Sequence, residues 1–396
     1  MKILLLCNKL PYPANDGSSI AIARMIEGLV AANVELTVLS LNTKKHYKNT
    51  NDIPEVIRQK VRFEIVDVDT NPTIGNAFVN LFERLPFHVS RFYQKDVAQK
   101  LETLLAETEF DIVQAEGLFM MPYKRIVWEK SKAKVVLRAH NIEHLIWQRT
   151  AEEHPMAVTR SFIRMQAKKL KRYENYCAAI ADAIIPISPA DQPYFEAINP
   201  NTHTSVCGTD VFHKHGKYNA TRFFHLGAMD WLPNKLGVNW LLTEVWPKVI
   251  GQNPKLELHL AGRSMDEKLA KHKQAGVFIH GEVDNAVAFR AEHGTMLVPL
   301  LSGSGLRIKI IEGLSEGLPI ISTTIGAEGI AITDTKDILL ADTAEAFANA
   351  ILHMAKDQAL SSQIGKNAAT LATENYQNST IIKNLVQFYS QTWHNS

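Results

Sequence analysis

Between Ser302 and Pro319 the sequence reads SGSGLRIKIIEGLSEGLP, with two glycines and two serines directly ahead of Arg307, Lys309 and Glu312. A turn through Gly303, Ser304 and Gly305 that opens a helix from about Gly305 to Glu316 would present unpaired backbone N–H groups and the positive end of the helix dipole. Such an end binds phosphate. Arg307 and Lys309 would add charge, and Glu312, one turn past Lys309, would offer carboxylate oxygens to ribose hydroxyls. Gly317, Leu318 and Pro319 read as the helix stop. The spacing is not that of a Walker loop, nor the Gly-x-Gly-x-x-Gly of a nicotinamide-binding turn. The competing reading stays open: LRIKII also alternates like a strand, and a Gly-Ser turn before a surface helix is common.

Other residues could also do chemistry. His140 closes the apparent strand KVVLRAH, at the end where ligands collect in open α/β sheets; it reads as a ligand-facing residue or as a structural histidine at a loop start. His140 and His144 in HNIEH are four apart, a weak zinc signal because Asn141 replaces the glutamate of a metalloprotease motif. Glu143 reads as a helix-start acid. The DVD of Asp67 to Asp69 reads as a strand entering a turn more readily than as a metal-binding pair. GEVDN reads as a strand-to-helix turn in which Asp284 could cap the next helix. Glu328 faces either a donor or solvent.

These residues need a scaffold. KILLLC, VELTVLSL, FDIVQAEG, AKVVLRAHN and AIIPIS are short apolar runs separated by amphipathic stretches, the signature of parallel strands with crossover helices. The rhythm loosens between Ala197 and Lys217, then restarts with RFFHLGA, LELHLAG, GVFIHG, TMLVPL and PIISTT. The fold class is therefore α/β, with two doubly wound Rossmann-like domains and a boundary near residue 200. Ile381, Ile382, Leu385, Val386 and Tyr389 form a helical stripe in the last segment that needs a surface to cover.

Composition narrows the functions. With 46% hydrophobic and 21% charged residues the chain can fill two cores, and a net charge of +2 lacks the dense basic face of a nucleic-acid binder. Cys7, Cys177 and Cys207 are too scattered for a disulfide framework or zinc knuckle. The opening ILLLC is too short for a signal-peptide core or membrane span, so a cytoplasmic protein is expected. KKHYK (Lys44 to Lys48), KKLKRY (Lys168 to Tyr173) and the aromatics of FVNLFERLPF are candidates for peripheral contact with an anionic membrane, or simply solvated faces.

SGSGLRIKIIEGLSEGLPIISTTIGAEGI resembles the nucleotide-sugar site of the retaining group 1 glycosyltransferases of GT-B fold, and the resemblance spans nearly the whole chain. LPYPANDGSS resembles the family's first glycine-containing loop, which implies that Gly17 lies near the donor phosphates. RAHNIEH resembles its histidine loop, implying that His140 sits beside the transferred sugar. LKRYENYCAAIADAIIPISPAD resembles the end of the acceptor domain, and FFHLGAMDWLPNKLGVNWL with LELHLAGR the opening of the donor domain. What this implies is an acceptor-side domain over 1–200, a donor domain over 201–375, a cleft between them, and a terminal helix over 376–396 crossing back to the first. The family's Glu-x7-Glu places its second glutamate on Glu312 but its first on Ser304. An arginine common after the first donor-domain strand falls near Ala228 and Met229, with Asn234 and Lys235 in the following turn.

The resemblance thus implies a metal-independent hexosyltransferase of polysaccharide biosynthesis, with no cofactor. It would take a UDP- or GDP-linked sugar as donor and a glycan or lipid-linked hydroxyl as acceptor. Catalytic roles would fall to His140, Arg307 and Lys309, and donor contacts to Gly17, Lys235, Gly281, Val283, Gly303, Ser304, Gly305 and Glu312. The leaving phosphate would itself take the acceptor proton. Two other functions fit the same architecture: a nucleotide-sugar epimerase and a non-catalytic donor-binding partner of another transferase.

Overall fold

The computed structural model describes residues 1–44, 47–71, 80, 85–153, 156–209, 219–303 and 305–394. The chain divides into two compact units, Met1–Gly208 with Asn378–Ser396, and Thr209–Gln377. The boundaries read from sequence, 200 and 375, fall a few residues earlier.

The first unit holds a six-stranded sheet of β1 (Lys2–Cys7), β2 (Glu35–Thr43), β3 (Arg62–Val68), β4 (Ile112–Glu116), β5 (Lys134–Ala139) and β6 (Ala183–Pro186). All neighbours pair in parallel, in the order β3-β2-β1-β4-β5-β6. Ile3 to Cys7 and every residue of β4 are buried, as strands covered by helices on both faces must be. The helices that carry or back site residues are α1 (Gly17–Ala31), α2 (Glu143–Glu153) and α3 (Ala157–Ile180).

The second unit repeats the plan. Its strands are β7 (Arg222–Leu226), β8 (Glu257–Ala261), β9 (Val277–Gly281), β10 (Thr295–Val298), β11 (Ile320–Ser322) and the short β12 (Leu339–Leu340), in the order β12-β11-β10-β7-β8-β9. The sequence runs account for all but β12, which is two residues long. Helices α4 (Leu232–Trp240), α5 (Ala286–Glu292) and α6 (Ile308–Ser315) follow β7, β9 and β10. Both sheets have the doubly wound order, in which the direction of strand addition switches between the first and fourth strand of each sheet. At that point the crossover helices diverge and leave a crevice beyond the strand ends.

From Asn378 the chain rejoins the first unit as α7 (Asn378–His394). Ile382, Leu385 and Tyr389 of the expected stripe are buried in the core that holds Ile22 and Ile26 of α1, while Ile381 and Val386 stay partly exposed. Asn378 Nδ2 donates to Arg24 O at 2.9 Å, and a Cβ on Gly28 would lie 2.3 Å from Ile382 Cγ1. The glycine is what lets the two helices approach. All three cysteines are free and buried.

Candidate functional site

In the first unit a cavity of about 370 Å3 opens at the crossover point, past the ends of β1, β4 and β5. Asn8, Lys9, Ser18, Arg91, Phe119, Glu116, His140 and Glu143 are among its lining residues. Each is placed by chain geometry: Asn8 and Lys9 follow β1, Glu116 ends β4, and His140 follows β5. Asp16 caps α1 through Ser19 N at 3.0 Å and is gripped by Lys9 at 2.6 Å, which fixes the first turn of α1 and with it Ser18. Burial pushes the Asp16 carboxyl up, but Lys9 and the cap bonds hold it down at about 2.

His140 and Glu116 form the centre. Glu116 Oε2 meets His140 Nε2 at 2.8 Å and Arg138 Nη1 at 3.0 Å, while Glu116 Oε1 accepts from Gln114 Nε2 at 2.7 Å. Gln114 in turn accepts from the Tyr389 hydroxyl of α7. Arg138 also donates to Ala21 O at 3.1 Å. Burial would raise the Glu116 carboxyl, yet Arg138 and His140 bring it to about 2, so it is ionised. Burial lowers the His140 pKa, so the ring is neutral. An ionised carboxylate only accepts, so Nε2 carries the proton and Nδ1 is left as an acceptor, 3.3 Å from Ser18 Oγ at the cavity wall. Asn8 Oδ1 and Arg91 Nε are buried without a hydrogen-bond partner among the described residues. The cavity thus offers hydrogen-bonding edges and the Phe119 ring, the kind of lining that takes a polyhydroxylated ligand.

Glu143 is the first residue of α2, the helix-start acid expected from sequence. Burial, then the neighbouring Glu174 charge, raise its carboxyl to about 8, so it is a protonated acid on the cavity wall. His144 does not share a helix face with His140: α2 starts at Glu143, and His144 Nδ1 sits 2.5 Å from Glu174 Oε2. The zinc reading of that pair falls. The DVD stretch is likewise engaged, Asp67 by Asn42 at 2.9 Å and Asp69 by Lys44 at 2.8 Å. Gly17 is the exposed first residue of α1.

The second unit carries the cations. Helix α6 begins at Ile308, three residues later than the sequence reading, because Arg307 caps it with φ −86° and ψ 83° and lies folded against the Trp231 ring at 5.3 Å. Arg307 also donates to Gly305 O and is 5% exposed. Gly303 has φ +118°, and a Cβ there would lie 3.0 Å from Arg307 Nη2 and 3.3 Å from Trp231. Gly303 and Gly305 are half-buried; Ser304 lies outside the described residues.

Lys309 Nζ donates to Asn234 Oδ1 at 3.0 Å, and Asn234 Nδ2 donates to Ala228 O at 2.9 Å. Gly227 exists for this contact, since a Cβ would lie 2.6 Å from Asn234 Nδ2. Burial and then the Arg307 charge lower the Lys309 pKa from 10.5 to about 7. His225 of β7 donates from Nδ1 to Leu297 O at 2.9 Å and is held neutral by burial and by Lys309. The cations therefore gather at the β7–β10 crossover, the corresponding point of this sheet.

The remaining expected donor residues have other partners or settings. Glu312 is half-buried and receives Arg290 Nη1 at 3.3 Å, while Arg290 clasps Glu316 at 2.9 and 2.6 Å. Lys235 is exposed and paired with Asp266 at 2.7 Å. Gly281 ends β9 with φ +70°, and Val283 is half-buried in the following turn. Asn285, not Asp284, caps α5, accepting from Ala288 N at 2.9 Å. Glu328 is exposed.

Glu116, Arg138 and Ser18 were not singled out from sequence. The available signal was an acid and a base, each near the end of an otherwise apolar strand, in IVQAE and VVLRA.

Two such parallel sheets in one chain, each with a site at its crossover point, define the GT-B glycosyltransferase fold, and solved structures of that class align over the full length. Sucrose-phosphate synthase from Thermosynechococcus elongatus shares 16% identity at a TM-score of 0.70, covering 100% of both chains. Anabaena HepE in complex with UDP shares 14% at 0.66, covering 99% of this chain and 100% of its own. A Staphylococcus aureus TarM variant, solved with fondaparinux, α-GlcNAc-glycerol and UDP, shares 12% at 0.68, covering 98% and 99%. Residues 220–357, within the second unit, match the family model described as glycosyl transferases group 1, the family that the chain's motifs resemble. A relative from Klebsiella pneumoniae, described as an uncharacterized 44.6 kDa protein in cps region, is 22% identical over 97% of this chain and 98% of its own.

Proposed function

We propose that the chain is a retaining, metal-independent hexosyltransferase that uses a UDP- or GDP-linked sugar and a hydroxyl of a glycan or lipid-linked acceptor. One observation carries the reading: Lys309, its pKa lowered to about 7, is held by Asn234 in the first turn of α6 beside Arg307. A diphosphate arriving there would draw a proton onto Lys309 and gain a fixed counter-charge where the leaving group develops its own. Glu312 and Glu316 are engaged by Arg290, which supports the leaving phosphate, rather than a protein carboxylate, as the acceptor of the proton.

The His140 cavity suits the acceptor, with Nδ1 as the hydroxyl-facing atom. That HepE and TarM were solved with UDP supports a nucleotide donor, and the cps-region relative supports polysaccharide assembly. No described helix is long and apolar enough to cross a membrane. Within KKLKRY, Leu170 and Tyr173 are core residues, so contact with lipid would rest on the lysines and arginine alone. Lys45 and His46 of KKHYK, and residues 78, 79 and 81–84 of the FVNLFERLPF stretch, lie outside the described residues.

A second reading has its own observation. Glu116 at about 2 and Glu143 at about 8 line one cavity, a carboxylate and a carboxylic acid of the kind an epimerase divides between base and acid. Thermal stabilisation by a panel of UDP, GDP, ADP and CMP species identifies the base. Incubation with the labelled sugar nucleotide then decides: transfer or slow hydrolysis supports the transferase, isomerised donor the epimerase, and binding without turnover a non-catalytic partner.

A further inference from the structure

Three histidines from separate stretches converge in the second unit. His259 lies mid-strand in β8, His280 on the edge strand β9, and His293 just past α5. One ring nitrogen from each lies within 4.8 Å of the other two, and His259 Nδ1 and His280 Nε2 are 2.9 Å apart. His259 and His293 are 6% and 3% exposed, while His280 faces solvent.

Each buried ring is oriented from behind. His259 Nε2 sits 3.1 Å from Glu257 Oε2, and His293 Nδ1 sits 2.6 Å from Phe289 O. Carboxylate and carbonyl oxygens only accept, so each ring spends its proton there and keeps a lone pair on the other nitrogen. Metal-binding imidazoles are commonly fixed in this way, through a carboxylate or a backbone carbonyl. The third ring, His280, now donates to His259 from Nε2, and moving that proton to its own Nδ1 frees a third lone pair with no net proton released. Burial keeps all three rings below their ordinary pKa and hence neutral.

We infer that His259, His280 and His293 bind one divalent transition metal ion of the zinc class, with its fourth position open to solvent beside His280. Three imidazoles select zinc, copper or nickel over magnesium or calcium. Nitrogens on a tetrahedral zinc are about 3.3 Å apart, within the 2.9 to 4.8 Å spread found here, so small ring rotations suffice. The ion would pin the edge strand to the end of α5. Because Arg290 of α5 grips Glu312 and Glu316, it would also steady α6, whose Lys309 is the candidate donor cation. The role is structural and independent of the transfer chemistry proposed above.

The test uses tag-free full-length protein, dialysed against a chelator and titrated with Zn2+ by calorimetry and thermal melting, and with Co2+ by visible absorption. Expected are one equivalent per chain, a raised melting temperature and the absorption of a tetrahedral cobalt site. His280→Ala, at an exposed position, should keep the metal-free melting temperature and lose both binding and shift. Glu257→Gln should weaken binding about 10–100-fold, and it carries the test should His280→Ala fail to fold. No stoichiometric binding by the parent protein, or undiminished binding by whichever variant folds, overturns the site.

Discussion

His140 Nε2 lies 2.8 Å from a Glu116 oxygen that Arg138 also holds, so one buried carboxylate both neutralises a guanidinium and sets the tautomer of an imidazole. The ring cannot turn its protonated nitrogen to the cavity without leaving Glu116 unsatisfied on that side. Its cavity-facing Nδ1 is therefore a built-in hydrogen-bond acceptor, the feature on which the acceptor role proposed for His140 rests.

His140→Gln removes the ring acceptor while keeping an amide donor for Glu116. The expected result is a loss of turnover of about 10²–10³ with an unchanged melting temperature, read from labelled-donor kinetics and circular dichroism. Near-normal turnover would make His140 a purely structural residue.

Glu116→Gln acts on stability instead. It leaves Arg138, 1% exposed, as a buried charge without its counter-ion, which costs about 3–5 kcal/mol. The carboxyl pKa falls from 4.5 to about 2 on folding. Its contribution is therefore complete above pH 4.5 and is lost as pH falls toward 2. Urea unfolding at pH 7 and at pH 3 should show the parent losing stability between those values, with a smaller loss in Glu116→Gln. Equal losses in both would show that the carboxylate is not what the fold depends on in acid.

Strands were the most legible part of the chain because a strand covered on both faces is a largely apolar run, as in the ILLLC of β1. The start of α6 was not, since the glycine turn announces a helix but Trp231, a residue far back in sequence, captures Arg307 and delays it. Glu116 hid for a related reason: a single acid among apolar residues has no periodicity, and its partners come from β5 and, through Gln114, from Tyr389 in the last helix. His259 stands between two leucines in β8 and His280 follows the apolar run VFI in β9, so neither strand by itself signals a cluster; only sheet pairing and the end of α5 bring the rings together.

Lys309→Met should separate function from stability. Lysine's ordinary 10.5 falls to about 7 in the fold, so between those values the unfolded chain binds the extra proton and stability rises with pH. Below pH 7 the charge is buried at full cost. Replacing it with an apolar side chain of similar length should stabilise the free protein by about 1–2 kcal/mol at pH 6 and by less at pH 9. Transfer should fall about 10²-fold or more. In the parent protein, donor affinity should weaken as pH rises through 7 and Lys309 loses its proton. A flat donor KM from pH 6 to 9 would remove Lys309 from the donor site.

The contact between α1 and α7 tests whether the last helix is integral to the first unit. A Cβ on residue 28 would stand 2.3 Å from Ile382 Cγ1 and 3.1 Å from its Cδ1, with Asn378 Nδ2 next at 3.0 Å. Gly28→Ala, although it raises helix propensity, should therefore force the helices apart and cost about 1–3 kcal/mol. Ile382→Ala alone opens a cavity in a core where Ile382 is 2% exposed, at about 2–4 kcal/mol. Combined, the new methyl enters the space the isoleucine leaves, and the double variant should be more stable than the sum of the single losses by at least about 1 kcal/mol. Additive losses in urea unfolding would mean that α7 does not pack on α1 in solution.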